Sequence, residues 1–390
     1  MEVLEKGGRT LKAEDIRLVD LTLRDGEQEA GVIFSPEEKI GIARLLKEIG
    51  VNQFEVGSPW ICEEERQILT VLAKEFRDEA IGFCRANVQD IGWAAKCGLT
   101  TVSISISTSD IHIERKFGKT GGWVLTKMIE AAREADRLGL RFIVCAEDAS
   151  RTGRDFLTTF FNAAFDEGAC RVRYCDTLGV LDPLDTRSLI SDLTSRLKGD
   201  LEMHTKNDFG MATANAVAGL MGGANYVNVA VGGLGERSGN AALEEVVMAL
   251  KHVEGITLPI ATQRFREVAE YVAEASARAV PIWKAIVGTN IFAHESGIHA
   301  DAVIKDPRNY EAFTPEEVGL ERQILVGKSS GSHTVSFKFS REFGIDLKPE
   351  MAQAILARAR HTAIVLKRPL FEKELMLIYN ELYPEGGESH

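Results

Sequence analysis

The sequence predicts an α/β protein, a closed TIM-type (β/α)8 barrel followed by a mainly helical C-terminal region. Between Ile16 and about Leu250, short apolar runs alternate with amphipathic stretches of helical period, the pattern of repeated βα units on a parallel sheet. Eight units of near-equal length can be counted, which favours a closed barrel over an open doubly wound sheet. Beyond residue 256 the alternation stops and longer helical patterns take over.

The strand candidates are IRLVDLT (16–22), NQFEVGS (52–58), AIGFCRA (80–86), TVSISIS (101–107), RFIVCAE (141–147), CRVRYCD (170–176), LEMHT (201–205) and YVNVAV (226–231). The helix after the first strand has a complete set of end signals: Ser35 to cap, Pro36 for the first turn and Gly50 to stop. The barrel is therefore expected over 1–255, and a helical region over 256–390. That region holds a helix from 262, two more near 348–361 and 370–382, and a polar string, HESGIHADAVIKDPRNYEAF (294–313), too poor in apolar periodicity to be core. A chain of 390 residues accommodates a barrel of about 250 plus such an extension.

Composition narrows the function classes. With 45% hydrophobic and 27% charged residues the chain is neither disordered nor fibrous. Its net charge of -12 is spread along the sequence and argues against a nucleic-acid surface. Six cysteines without C-x-x-C spacing suggest neither a disulfide framework nor a zinc ribbon and fit a reduced cytoplasm. No stretch reaches the roughly 18 apolar residues of a membrane helix. Small molecules, with neither nucleic acid nor membrane, are the expected partners.

Polar residues collect where a barrel places its chemistry. Arg24, Asp25, Glu147, Asp148, Asp176, Thr177, His204 and Asn240 all fall at or just beyond the C-terminal ends of strand candidates. In LTLRDGEQEAG (21–31) the Arg24-Asp25 pair could place a guanidinium and a carboxylate on one small ligand, although an isolated Arg-Asp pair is more often a salt bridge. His204, ending a strand, could ligate a metal, although a lone histidine is more often structural. The glycines of GGLGERSGNAALEEV (232–246) could bring backbone close to an anion beside a helix N-terminus, a weak signal on its own.

Taken together, LRDGEQ (23–28), EVGSP (55–59), CAEDASR (145–151), CDTLGVLDP (175–183), NDFGMATAN (207–215), GLGERSGNAALEEV (233–246) and HESGIHADA (294–302) resemble one family. It is the acyl-CoA 2-oxoacid synthases of the DRE-TIM metallolyase superfamily, which include 2-isopropylmalate, citramalate and homocitrate synthases. GLMGGANYVNVAV, CAEDASR and RNYEAF are most similar to the homocitrate synthases of nitrogen fixation. The resemblance implies condensation of acetyl-CoA with a 2-oxo dicarboxylic acid, 2-oxoglutarate giving homocitrate, assisted by Mg2+ or Mn2+. It implies Asp25 and His204 as metal ligands with Asn240 beside them, and Arg24 as the group that polarises the keto oxygen. Gln28 and Thr177 would contact substrate. Glu147 and His299 would flank the acyl methyl group with Tyr310 nearby. His299 would reach a neighbouring subunit's barrel, which requires at least a homodimer. A lyase of the hydroxymethylglutaryl-CoA type fits the long helical extension less well.

The sequence departs from the family at three places. The seventh strand ends His204-Thr205-Lys206 where the family has H-x-H, Ser329 replaces a usual histidine, and Gly232 replaces a common asparagine. Three readings follow. Asp25, His204 and water could keep a weaker metal site; the altered pocket could mark another specificity, such as a Re-type citrate synthase using oxaloacetate or an isopropylmalate or citramalate type; or a non-catalytic ligand-binding homologue could use Lys206 in place of the metal. The arginine that lysine-pathway homocitrate synthases carry on the fifth strand is absent near Ile143 and Cys145. Lys206, His112 and Arg85 are the other basic candidates for a substrate carboxylate.

Overall fold

Strands covered on both faces must be apolar on both, and the short runs meet that demand: Leu18 and Val19, Val102 and Ile104, and Ile143 and Val144 are all buried. In the computed structural model, which describes residues 11–384, the runs form one closed parallel barrel. The outermost residues of both expected domains, 1–10 and 385–390, lie outside the described residues. The strands are β1 (Arg17–Asp20), β2 (Gln53–Gly57), β3 (Ala80–Arg85), β4 (Thr101–Ser107), β5 (Arg141–Glu147), β6 (Arg171–Asp176), β7 (Leu201–Thr205) and β8 (Tyr226–Val229). Closure comes from β8 lying parallel to β1, with Arg17 opposite Tyr226 and Asp20 opposite Val229. The expected barrel and all eight expected strands are present.

One helix follows each strand: α1 (Pro36–Ile49), α2 (Glu63–Glu75), α3 (Val88–Lys96), α4 (Gly121–Arg137), α5 (Arg154–Asp166), α6 (Pro183–Arg196), α7 (Ala212–Met221) and α8 (Leu243–His252). The end signals of α1 act as expected. Ser35 Oγ accepts from Glu38 N at 3.2 Å, the Glu38 carboxylate accepts from Ser35 N at 2.6 Å, and Gly50 closes the helix at φ 100°.

The barrel interior is half apolar and half ionic. Val19, Leu21, Ile81, Ile143, Cys145 and Cys175 pack together. Beside them runs an alternating chain of buried charges. Glu55 on β2 accepts from Ser103 Oγ at 2.6 Å and pairs with Arg173 at 2.8 Å. Arg173 reaches Glu202 on β7 at 2.6 Å, and Glu202 also binds Arg171 and accepts from Asn228 Nδ2 at 2.7 Å. Burial opposes ionisation of Glu55, but Arg173 and Arg24 hold its carboxyl at about 2.

The boundary between the two parts lies further along than residue 255. The described residues form two compact units that divide after Val280. Helix α9 (Phe265–Ser276) belongs to the first, because its stripe of Phe265, Val268, Ala269 and Val272 is buried and it packs on α1. Gly41 of α1 makes that approach possible, since a Cβ there would sit 2.0 Å from the Tyr271 hydroxyl. The second unit, described by itself, contains the short pairing of β9 (Ala293–His294) with β10 (Gln323–Ile324). Its helices are α10 (Gly297–Lys305), α11 (Ser332–Phe343), α12 (Pro349–Leu366) and α13 (Glu372–Leu382). Val326, Val335, Phe339, Ile355, Leu375 and Ile378 form its core. Among the described residues no helix is long and apolar enough to cross a membrane.

One buried carboxyl on β1 is poorly solvated. Asp20 accepts from Thr22 N through Oδ1 at 2.7 Å while Oδ2 has no hydrogen-bond partner, and burial pushes its pKa up to about 7, with Glu244 adding to the rise. The folded state keeps this proton to about pH 7 while the unfolded chain releases it near the ordinary 3.8. Folding therefore binds a proton in that window, and stability falls as pH rises through it, by at most about 1.4 kcal/mol per pH unit. Asp20→Asn is expected to raise Tm more at about pH 8.5 than at about pH 5.5; calorimetric scans at the two values check this, and equal gains would contradict it.

Candidate active site

Each β strand of a barrel delivers its last side chain to one rim, and here the rim gathers most of the residues singled out in the sequence. The chain leaves β1 through Arg24 and Asp25 into a single 3-10 turn, Gly26–Gln28. Arg24 Nε donates to Glu55 Oε2 at 2.6 Å, and its Nη1 donates to Asp25 Oδ2 at 3.2 Å and Gln28 Oε1 at 3.3 Å. The guanidinium lies 4.2 Å from the centroid of the Phe83 ring. Arg24 is thus the top rung of the interior ionic chain, and its orientation is set from below by Glu55.

From β7, His204 and Lys206 reach the same carboxylate. Lys206 Nζ donates to Asp25 Oδ1 at 2.5 Å, and His204 Nε2 lies 3.5 Å from Asp25 Oδ2. Asn240 completes the group, its Oδ1 3.1 Å from His204 Nε2 and its Nδ2 donating to Leu234 O at 2.8 Å. All four side chains are buried. Two glycines admit this packing. A Cβ on Gly235 would lie 2.2 Å from Asn240 Nδ2, and one on Gly179, at φ 59°, would lie 2.6 Å from Lys206 O.

The electrostatics follow from burial and crowding. Burial works against the Asp25 charge, yet Arg24, then Lys206, hold the carboxyl far below the usual carboxylate range. Burial lowers His204 to about 3, with Asp25 opposing and Lys206 assisting, so the imidazole is neutral. Burial also lowers Lys206, and Asp25 opposes that shift.

The expected ligand set, Asp25, His204 and Asn240, does not fit a divalent cation in this arrangement. Both Asp25 oxygens already accept from cationic side chains. Because Asn240 Nδ2 is committed to the Leu234 carbonyl, its Oδ1 faces His204, so Nε2 carries the imidazole proton and presents no lone pair towards Asp25. The third donor of the family pattern is an ammonium, which repels a cation. Among the described residues no cluster of three His, Cys, Asp or Glu side chains could hold a metal.

A second polar group lies at the ends of β4 and β5. Glu147 Oε1 accepts from Lys116 Nζ at 2.7 Å, with His112 Nδ1 3.7 Å away, and Lys116 also donates to Ser107 Oγ at 3.1 Å. Asp148, in a left-handed conformation at φ 61°, accepts from Ser109 Oγ at 2.5 Å and is gripped by Arg151 at 2.7 Å. Thr177 braces its neighbours: its Oγ1 accepts from Asp148 N at 2.8 Å, and its carbonyl accepts from Arg237 at 2.5 Å. Arg85 is paired with Asp90 at 2.8 Å and stacked on Trp60. In the second unit His299 and Tyr310 are exposed and stack with ring centroids 4.2 Å apart. Ser329 there donates its backbone N–H to Glu295 at 3.2 Å.

The HMGL-like family matches residues 15–272, about two thirds of the chain. The chain belongs to the HMGL-like family. A second family, described as homocitrate synthase post-HMGL domain-like, matches residues 286–366. The chain is 52% identical over 376 residues to 2-isopropylmalate synthase 2 of Caldanaerobacter subterraneus subsp. tengcongensis, covering 96% of this chain and 98% of that relative. It is 47% identical over 363 residues to homocitrate synthase 1 of Nostoc sp., covering 93% and 96%. It is 39% identical over 368 residues to the (R)-citramalate synthase of Methanocaldococcus jannaschii, covering 94% of this chain and 74% of that one. Among solved structures, the HMG-CoA lyase of Bacillus subtilis shares the fold at a TM-score of 0.62 and 20% identity, covering 68% of this chain and 95% of the lyase.

This HMGL-like chain has three further charged groups at the mouth or directly beneath it, Glu55, Arg173 and Lys116, that residue patterns alone do not mark. Glu55 and Arg173 were hidden inside strands that read as apolar, and Lys116 sat in a helical turn; EVGSP carried Glu55 in plain view, as a charged residue in a run with no exposed face. Glu55 joins Arg24 to Arg173, so Glu55→Gln leaves two buried guanidinium groups short of a counter-charge and is expected to cost about 3–5 kcal/mol of stability. Urea unfolding measures this; a cost under about 1 kcal/mol would mean the chain of charges is not a structural element.

Proposed function

We propose that the barrel mouth condenses acetyl-CoA with a 2-oxo dicarboxylic acid, 2-oxoglutarate giving homocitrate, in the cytoplasm and as a homodimer. The observation that carries this reading is the pairing of two buried cations, Arg24 and Lys206, on one carboxylate at the rim, a concentration of positive charge suited to an anionic carbonyl compound. Relatives named homocitrate, 2-isopropylmalate and citramalate synthase support the reaction class.

In this reading the substrate's carboxylate and keto oxygen lie against Arg24, Gln28 and Lys206, with His112 and Thr177 at the margin. A base removes a methyl proton from acetyl-CoA, the enolate carbon bonds to the keto carbon, and the carbonyl π pair moves to oxygen beside the Arg24 guanidinium. Water then cleaves the thioester and releases the CoA thiol. Glu147, steered by Lys116, is assigned as the group beside the acyl methyl, with His299 and Tyr310 supplied by a second copy. A second reading takes 2-oxoisovalerate. It is favoured by the apolar Ile143 and Cys145 on β5 and by the relative named 2-isopropylmalate synthase 2.

Thiol release from acetyl-CoA, compared across 2-oxoglutarate, oxaloacetate, 2-oxoisovalerate and pyruvate, tests the assignment. The highest kcat/KM is expected with 2-oxoglutarate; preference for 2-oxoisovalerate or oxaloacetate moves the enzyme to that specificity, and no release with any of them refutes condensation. Arg24→Lys keeps the charge but loses the planar fork, and is expected to lower kcat/KM by on the order of 100-fold.

A further inference from the structure

The carboxylate expected to bind a metal is instead closed by a lysine. We propose that the Lys206 ammonium is the resident cation of this mouth, and that the protein binds its 2-oxo acid through Lys206 and Arg24 without a divalent ion. The proposal rests on the reading of the mouth as a 2-oxo acid site and deepens it.

Geometry is the first support. Lys206 Nζ sits 2.5 Å from Asp25 Oδ1 and so engages one of the two oxygens a metal ion would need, and among the described residues Asp25 is its one hydrogen-bond partner. An ammonium has three donors, so two remain for a ligand. The side chain cannot swing away freely. Its backbone bridges to Asn240 and its carbonyl packs on Gly179, and the whole residue is 4% exposed.

Charge is the second support. The linked set consists of four cations, Arg24, Lys206, Arg173 and Arg171, and three anions, Asp25, Glu55 and Glu202. One buried positive charge is left over, and its position at the top of the chain is where a substrate carboxylate would neutralise it. A divalent ion added to the same set would raise the excess to three charges beside a fixed ammonium, a strongly unfavourable arrangement at low dielectric. A 2-oxo acid instead supplies a carboxylate for the excess charge and a keto oxygen as acceptor for the ammonium. The lysine thus takes over the polarising task by donating a hydrogen bond to that oxygen.

The test uses the full chain, stripped with EDTA. Manganese binding is followed by electron paramagnetic resonance, and 2-oxo acid binding by calorimetry with the four acids named above. In the wild type no stoichiometric Mn2+ site is expected at millimolar metal, and at least one acid binds with the same Kd in EDTA as in Mn2+. Lys206→Met is expected to weaken that acid at least tenfold in both buffers. Lys206→His rebuilds the H-x-H pattern and is expected to bind Mn2+ on the order of 100-fold more tightly than the wild type, with acid binding that now depends on the metal. A wild type that holds one Mn2+ and binds the acid only in its presence overturns the proposal, as does failure to bind any of the acids. Borohydride capture of the acid on Lys206 overturns it too, because an imine forms from the amine and not from the ammonium. Since these are binding readouts, absence of thiol release would refute the condensation reading while leaving this inference to be decided on its own.

Discussion

A carboxylate sealed inside a barrel is stable only while cations surround it, and this barrel depends on that condition being met along its whole interior. Glu202 is held by Arg171 and Arg173, Glu55 by Arg173 and Arg24, and Asp25 by Arg24 and Lys206. Each cation but the terminal ones serves two anions. Removing a rung leaves each of its neighbours one counter-charge short in a medium that solvates them poorly. The apolar layer of Val19, Leu21, Ile81 and Ile143 alongside keeps water out and makes the pairing strong.

That chain connects stability to chemistry. Arg24 is aimed by Glu55, and Glu55 by Ser103 and Arg173, so the orientation of the mouth's principal donor is set by residues on β2, β4 and β6. Preorganised donors of this kind need no rearrangement when charge develops on a substrate oxygen. The second polar group, Glu147 with Lys116, stands on β5 and the turn after β4, where Asp148 in a left-handed conformation anchors the bend through Ser109 and Arg151.

Much of this architecture is written in local residue patterns. The eight strands were legible because parallel strands covered on both sides must be continuous apolar runs, and Ser35, Pro36 and Gly50 marked α1 by local geometry alone. Arg24, Asp25, Glu147, His204 and Asn240 were legible as rim residues because a strand's C-terminal end is a position in the sequence. Other features were not legible. The helix Phe265–Ser276 looked like the start of the second region, yet its stripe of apolar residues needs the barrel to cover it, and only packing shows which neighbour does so. The hydrogen bond from the Asp148 backbone N–H to the Thr177 hydroxyl is likewise a contact that only the folded chain reveals.

The sequence by itself determined the barrel, its rim and the presence of an ammonium where a second imidazole was expected, because those follow from periodicity and residue identity. Whether that ammonium would turn outward to solvent or inward onto Asp25 was a matter for the tertiary structure. Residues 25 and 206 are adjacent only because closure of the barrel brings the ends of β1 and β7 to one mouth. A charge is paired or unpaired according to distances in space, and the linear order of residues does not contain those distances.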